Sequence, residues 1–231
     1  MNVLGYIQTM AKTFETHFTL PTRFKCRYGL RTVRNPKELI LLLHGFELTG
    51  PGMLARFEKA LQKNAILLAP NGPFPVRHVD GDHMSLGFSW YFFEPGHEEF
   101  YTPRDLSIRY LKRLISSLGL SYLPKRIIGY SQGGYLGPFV AQELTKVQQL
   151  VGISCRFLGD EIRRIPKFRM DAIHGSKDAI VDAKLSVEAF SKLKTRGMSG
   201  EFHLLKGLGH RVVPPMLQTL ERVLAESSHL I

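Results

Sequence analysis

Gly129-Tyr130-Ser131-Gln132-Gly133 is the segment of this chain whose residue types point most directly to chemistry. A serine between two glycines, placed just after an apolar run and just before a helical stretch, suits a sharp turn that lifts a hydroxyl clear of a sheet while helix and strand approach closely. At ordinary residue frequencies such a pattern arises by chance roughly 0.1 times in a chain of this size, so it needs support from elsewhere. The alternative is a glycine-rich turn serving packing or phosphate binding. A phosphate loop would want a lysine after the glycines, and Gly133 is followed by Gly134 and Tyr135.

A serine hydroxyl is a weak nucleophile until a base takes its proton, so a histidine and an orienting carboxylate have to come from other parts of the fold. Asp178 follows the apolar run 169–173 in His174-Gly175-Ser176-Lys177-Asp178, and His210 follows the run 201–205 in Lys206-Gly207-Leu208-Gly209-His210. The order Ser131, Asp178, His210, with steps of 47 and 32 residues, leaves room for about one strand-helix-strand excursion in each interval. His203 is expected inside a strand and His174 in a turn. The oxyanion of an acyl intermediate needs preorganised donors, and the backbone N–H groups of Phe46 and Gln132 occupy the expected places. Their side chains are therefore of secondary importance. His44 and Gly45 are expected to shape the turn before Phe46, with His44 bracing it through hydrogen bonds, and Gly129 and Gly133 to allow the turn around Ser131.

The elements that must position these residues alternate. Segments 13–20 and 23–33 have a period of two, as an opening antiparallel pair would. The unbroken run 38–43 then reads as a strand buried on both faces, which belongs in a parallel sheet. A helix is expected over 53–63, a strand over 65–69, and a long aromatic and glycine-rich loop from Pro70 to Phe100. Thr102-Pro103-Arg104-Asp105 combines a cap with a proline at the first helical position, opening a helix to about Leu118. Beyond it come strand 126–130, helix 133–145, strands 150–154 and 169–174, helix 182–193, strand 201–205 and helix 213–225. This is an α/β fold, a doubly wound and mostly parallel sheet, with ligands expected beyond the carboxyl ends of the strands. Residues 1–231 carry no linker or repeat and are read as one domain.

Composition narrows the class. With 44% apolar and 22% charged residues the chain can bury a core, which excludes a disordered or fibrous protein. The longest charge-free stretch, Ile127 to Gln142, is 16 residues with four glycines and Pro138, too short and broken to span a bilayer. The N-terminal stretch lacks the basic and small-residue features of a secretory signal. Cys26 and Cys155 make neither a disulfide framework nor a metal-ligand spacing. A reducing, cytoplasmic setting is expected. The net charge of +11 permits contact with anionic surfaces or acidic small molecules; its clusters at 12–37 and 156–169 read first as solvated faces, with no specific nucleic-acid partner.

The chain resembles the carboxylesterase, phospholipase and acyl-protein thioesterase branch of the α/β-hydrolase superfamily. The resemblance rests on LLLHGF at 41–46, LLAPNGP at 67–73, Ser89-Trp90-Tyr91, GYSQGG at 129–134, HGSKDAIV at 174–181 and GLGH at 207–210. It implies a cofactor-independent serine hydrolase acting on small-molecule carboxylic esters or thioesters, with Ser131, Asp178 and His210 as its triad and no metal. One departure stands out. The branch commonly has His-Gly-x-Gly-Asp after the early strand, and this chain has His44-Gly45-Phe46-Glu47. Phe46, Leu48, Trp90, Tyr91, Phe157 and Val212 flank the proposed catalytic loops and are candidates for an acyl pocket, with Phe46 and Trp90 foremost. Phe92 and Phe93 read as core, and Glu47 as a solvated loop charge. The segment 154–166 is too short for a large lid. A catalytically silent binding protein for an anionic partner and a serine peptidase of the same fold are the competing readings. The sequence leaves a homodimer open.

Overall fold

Leu39 to Leu43 and Ala65 to Pro70 are buried at every position, because side chains on both faces of the central strands meet helices. The computed structural model describes Arg23, residues 25–94 and residues 99–227. In chain order the elements are β1 (Tyr28–Arg31), β2 (Glu38–Leu43), α1 (Gly50–Phe57), β3 (Ala65–Pro70), β4 (Phe74–Asp80), β5 (His83–Ser89), β6 (Phe92–Glu94), β7 (Glu99–Thr102), α2 (Arg104–Ser117), β8 (Lys125–Tyr130), α3 (Gln132–Glu143), β9 (Val147–Ile153), β10 (Arg169–Gly175), α4 (Ala183–Thr195), β11 (Phe202–Leu205) and α5 (Pro214–Ser227). Seven strands form one sheet in the order β1-β3-β2-β8-β9-β10-β11. β1 runs antiparallel to β3, and the other pairings are parallel.

The period of two along β2 splits the core into two layers. Leu39, Leu41 and Leu43 pack with Leu111 and Ile115 of α2, Leu136 and Val140 of α3, and Phe190 and Leu193 of α4. Ile40 and Leu42 pack with Met53 and Phe57 of α1 and Met216, Leu220 and Val223 of α5. Each such side chain contributes about 2 kcal/mol of burial, so a one-residue register slip, which would exchange the two faces, is strongly disfavoured.

An antiparallel pair thus lies on the N-terminal side of the sheet. Of the two segments expected there, 13–20 lies outside the described residues, and the second contains β1, whose described partner is β3. Three local expectations change. Helix α1 starts at Gly50 because the Thr49 hydroxyl caps the Gly52 N–H at 3.1 Å. Its last turn tightens into a 3-10 turn at Glu58–Ala60. The segment from Pro70 to Phe100 is not a loop. β4 and β5 form a hairpin closed by Gly81 (φ +57°) and Asp82, with Asp80 opposite His83, and β6 pairs with β7. Thr102 stays extended in the second pairing, so Pro103 rather than Thr102 occupies the cap position of α2, consistent with the extended backbone preferred before proline.

A row of buried polar groups crosses the amino ends of four parallel strands. Glu38 pairs with Arg126 Nε at 2.9 Å. Arg126 Nη1 donates to Gln149 Oε1 (3.1 Å) and to the Leu224 carbonyl of α5 (2.6 Å). Gln149 Nε2 donates to Asp171 (2.7 Å), and Asp171 also takes the Arg169 Nε–H (2.8 Å). Burial pushes the Glu38 carboxyl up while Arg126 pulls it back. Replacing Arg126 alone leaves Glu38 and Gln149 without their donor in a dry site, so Arg126→Met should cost about 3–5 kcal/mol in urea denaturation. The double variant Glu38→Gln/Arg126→Met should recover a large part of that loss; equal losses in the two variants would contradict the coupling.

Candidate active site

The carboxyl end of β8 delivers Ser131 onto a turn with φ +50° and ψ −118°, a region costly for a residue with a side chain. The turn is held by the Ser131 N–H to Ile153 O (2.9 Å) and by the Gly134 and Tyr135 N–H groups to Ser131 O (2.8 and 3.0 Å). The glycines around it have no room for a side chain. A Cβ at Gly129 would strike the backbone of Gly133 and Gly134, one at Gly133 the Leu43 carbonyl, and one at Gly134 the side chain of Cys155.

Asp178 and His210 stand in the loops after β10 and β11, and the structure brings both to Ser131. His210 Nε2 lies 3.0 Å from Ser131 Oγ, and His210 Nδ1 lies 2.8 Å from Asp178 Oδ2. A carboxylate only accepts, so Nδ1 carries the proton and Nε2 is free to accept from the serine hydroxyl. The other oxygen, Oδ1, accepts from the N–H groups of Ile180 (2.9 Å) and Val181 (2.8 Å). Burial works against the Asp178 carboxylate, but the Val181 N–H, His210 and the Ile180 N–H outweigh it and hold its pKa below the usual carboxylate value.

Two residues brace these loops. The Tyr130 hydroxyl donates to His210 O at 2.9 Å. His174, expected in a turn, lies in β10 and is wholly buried. Its Nε2 sits 3.0 Å from Val181 O and 3.3 Å from Asp178 Oδ2; both are acceptors, so this nitrogen is protonated. Its position four residues before Asp178, on the same strand end, was the signal for a bracing role.

The backbone N–H groups of Phe46 and Gln132 meet no acceptor among the described residues. The loop that carries Phe46 keeps its shape without a second glycine: Glu47 itself adopts φ +62°. Its N–H bonds Phe88 O and its neighbour Leu48 O takes the Phe88 N–H, each at 3.0 Å. The Glu47 carboxylate meets His78 Nδ1 at 3.3 Å, so it is more than a solvated charge. The Gln132 side chain also has a part that the role expected of its backbone N–H did not suggest. It accepts from Trp90 N–H (3.0 Å) and donates to Ser89 Oγ (3.0 Å) and Tyr91 O (2.9 Å), tying the segment 89–91 to the serine turn.

A groove of about 360 Å³ opens over Ser131, lined by Phe46, Tyr91, Phe92, Phe93, Tyr135 and Ile180. Phe92 and Phe93 are therefore groove wall rather than core. Trp90 and Phe157 are core rather than groove wall. Trp90 is fully buried, with its indole N–H on His44 O at 2.8 Å, and Phe157 is buried against Phe190. Leu48 and Val212 line a separate, smaller cavity together with Tyr130. Tyr135 and Ile180 were missed because only the fold turns them toward Ser131. Among the described residues no three His, Cys, Asp or Glu side chains gather as metal ligands would.

His44 is fully buried. Its Nδ1–H donates to Gly45 O (2.6 Å) and its Nε2 accepts the Gly72 N–H (2.9 Å). Burial pulls its pKa from 6.5 down to about 4, against the Gly45 bond, which acts the other way.

The phospholipase/carboxylesterase family matches the chain over residues 31–228. Acyl-protein thioesterase 1 homolog 1 of Dictyostelium discoideum is 25% identical over 226 residues, covering 90% of this chain and 98% of its own. Among solved structures, esterase PE8 is 23% identical with a TM-score of 0.68, covering 87% of this chain and 99% of that one. Zea mays acyl-protein thioesterase 2 is 19% identical with a TM-score of 0.68, covering 89% and 99%. These structures establish the shared fold.

A histidine whose folded pKa is depressed contributes stability that is complete above its unfolded value near 6.5 and is lost as pH falls through about 4. The contribution of His44 is roughly 3 kcal/mol. The lowered Asp178 acts in a separate window, below its ordinary value of 3.8. His44→Gln keeps an acceptor for Gly72 and cannot titrate, so its stability between about pH 6.5 and 4 should fall less steeply than that of the native protein in urea melts. Identical slopes would contradict this account.

Proposed function

The chain belongs to the phospholipase/carboxylesterase family and is a carboxylic ester hydrolase, and on that premise we propose that it cleaves esters or thioesters of small to medium acyl groups through an acyl-enzyme on Ser131. The observation that carries this reading is the continuous hydrogen-bond chain from Ser131 Oγ through His210 to Asp178, at 3.0 and 2.8 Å.

In this reading Ser131 Oγ attacks the acyl carbon while His210 Nε2 takes its proton. Asp178 keeps the imidazole in the tautomer that can accept and stabilises the imidazolium that forms. The developing oxyanion faces the N–H groups of Phe46 and Gln132, which need no reorganisation to receive it. Collapse expels the alcohol or thiol, which collects the proton from His210. Water then repeats the sequence on the acyl-serine and releases the acid.

The acyl chain lies against Phe46, Tyr91 and Ile180. The groove is at the lower end of the range for small-molecule sites, which favours short and medium chains over long ones. An intact, hydrogen-bonded triad speaks for turnover over a silent binding protein, since binding alone would not need these three groups in register. No helix among the described residues is long and apolar enough to cross a membrane, and the free thiols of Cys26 and Cys155 suit the reducing cytoplasm.

With p-nitrophenyl esters of increasing chain length, kcat/KM should peak at roughly four to eight carbons and fall for palmitate. Ser131→Ala should lower kcat by at least about a thousandfold with the fold intact. Retained turnover in Ser131→Ala would remove the reading.

A further inference from the structure

The groove over Ser131 has four polar side chains in its wall, Tyr91, Ser131, Gln132 and Tyr135, and no charged one; the other lining residues are apolar. Two of the four are committed. Ser131 Oγ faces His210 Nε2, and both ends of the Gln132 amide are held by the segment 89–91. The two phenols remain. Tyr135 stands in the first turn of α3, and its oxygen takes a bond from the Arg156 backbone. The half-buried Tyr91 has bonds at its carbonyl, but its hydroxyl meets no hydrogen-bond partner among the described residues.

The rest of Tyr91 is firmly fixed. Its carbonyl accepts from Ser89 Oγ (2.7 Å) and Gln132 Nε2 (2.9 Å), and its ring meets Phe100 edge-on at 5.6 Å. The Arg104 guanidinium covers Phe100 at 4.6 Å, and Glu161 neutralises that cation. Burial pushes the Tyr91 phenol up, against the opposing pull of Arg104, so the group is a neutral O–H donor throughout the pH range in which an esterase is assayed.

A buried phenol usually satisfies its hydroxyl within the protein, and small-molecule sites are apolar clefts in which a few placed polar groups fix orientation. An uncommitted donor on an otherwise apolar, uncharged wall therefore suits a neutral acceptor on the ligand. We propose that Tyr91 is a specificity determinant whose hydroxyl donates to an oxygen on the acyl chain, so that the preferred acyl groups carry a neutral carbonyl where a simple fatty acyl group has a methylene. The inference rests on the reading of Ser131 as nucleophile and of the groove as the acyl site. Tyr91 takes no part in bond exchange: it keeps its proton, and the attack by Ser131 and the proton route through His210 are the same for both kinds of acyl group. A plain alkyl chain covers the hydroxyl without giving it an acceptor, and that unreturned desolvation is the source of the discrimination.

The test compares p-nitrophenyl pentanoate with the 4-oxopentanoate, and the hexanoate with the 5-oxohexanoate, each pair differing by one methylene turned into a carbonyl. The readout is the ratio of kcat/KM for the oxo ester to that for the alkyl ester, taken within each protein and then compared between the native protein and Tyr91→Phe. The intrinsic reactivities of the esters and the folded fraction of a variant both cancel. In at least one pair the native ratio should exceed the Tyr91→Phe ratio by about three- to tenfold, as one neutral hydrogen bond would give. It should hold as ionic strength rises from about 0.05 to about 0.5 M, because neither partner is charged. Tyr122→Phe, which removes an exposed phenol just before β8, should keep the native ratio. Equal ratios in the native protein and Tyr91→Phe for both pairs would overturn the proposal. So would an equal loss in Tyr122→Phe, or a loss produced by Tyr135→Phe in place of Tyr91→Phe, which would assign the donor to Tyr135. Absence of turnover on all four esters would overturn the serine-hydrolase reading itself and this inference with it.

Discussion

The turn at Ser131 is the constraint on which the rest of the molecule depends. A strand buried along its whole length has to give way to a helix within a single residue, and that residue carries a side chain in a backbone region where side chains are disfavoured by about 1–3 kcal/mol. The conformation persists because the surroundings allow no other. Gly129, Gly133 and Gly134 let α3 approach β2, β8 and Cys155 more closely than any side chain would permit. The Ser131 N–H is fixed on β9. Burial pushes the Cys155 thiol up, so the cysteine beside the turn acts as packing.

From this point the sheet acts as a jig. Parallel pairing places the ends of β2, β8, β10 and β11 along one edge, so loops distant in sequence meet over Ser131. The polar row from Glu38 to Arg169 crosses the opposite ends of β2, β8, β9 and β10 and ties their register together. Near the reacting edge the support is again polar and specific. His44 holds the turn before Phe46 to Gly72, Gln132 holds the groove wall to the serine turn, His174 holds the Asp178 loop, and Tyr130 holds the His210 loop. None of these side chains need touch a substrate for its loss to displace a group that does.

Much of this arrangement was legible in the sequence because the physical signals are local. The unbroken apolar run of β2 has one interpretation in a chain of alternating strands and helices, and glycines flanking a serine at a strand end specify a turn. The positions of Asp178 and His210 could be read because each follows a strand directly. What escaped was set by contacts between distant segments. The β4–β5 hairpin has its own signals, alternation and a Gly-Asp turn, but aromatic and glycine residues suggested a loop. Trp90 is buried because its indole finds the His44 carbonyl, and Phe92 and Phe93 reach the groove because β6 pairs with β7. Glu47 takes a conformation suited to glycine because β5 holds it there, which no motif at 44–47 could announce.

The central claim is that Ser131 is an activated nucleophile made so by His210 and Asp178. The most direct measurement is intact-mass analysis after treatment with a fluorophosphonate, on the native protein and on Ser131→Ala in parallel. The account predicts one adduct on the native chain and none on the variant. A folded native protein that takes no adduct, or a variant that still takes one, would contradict it.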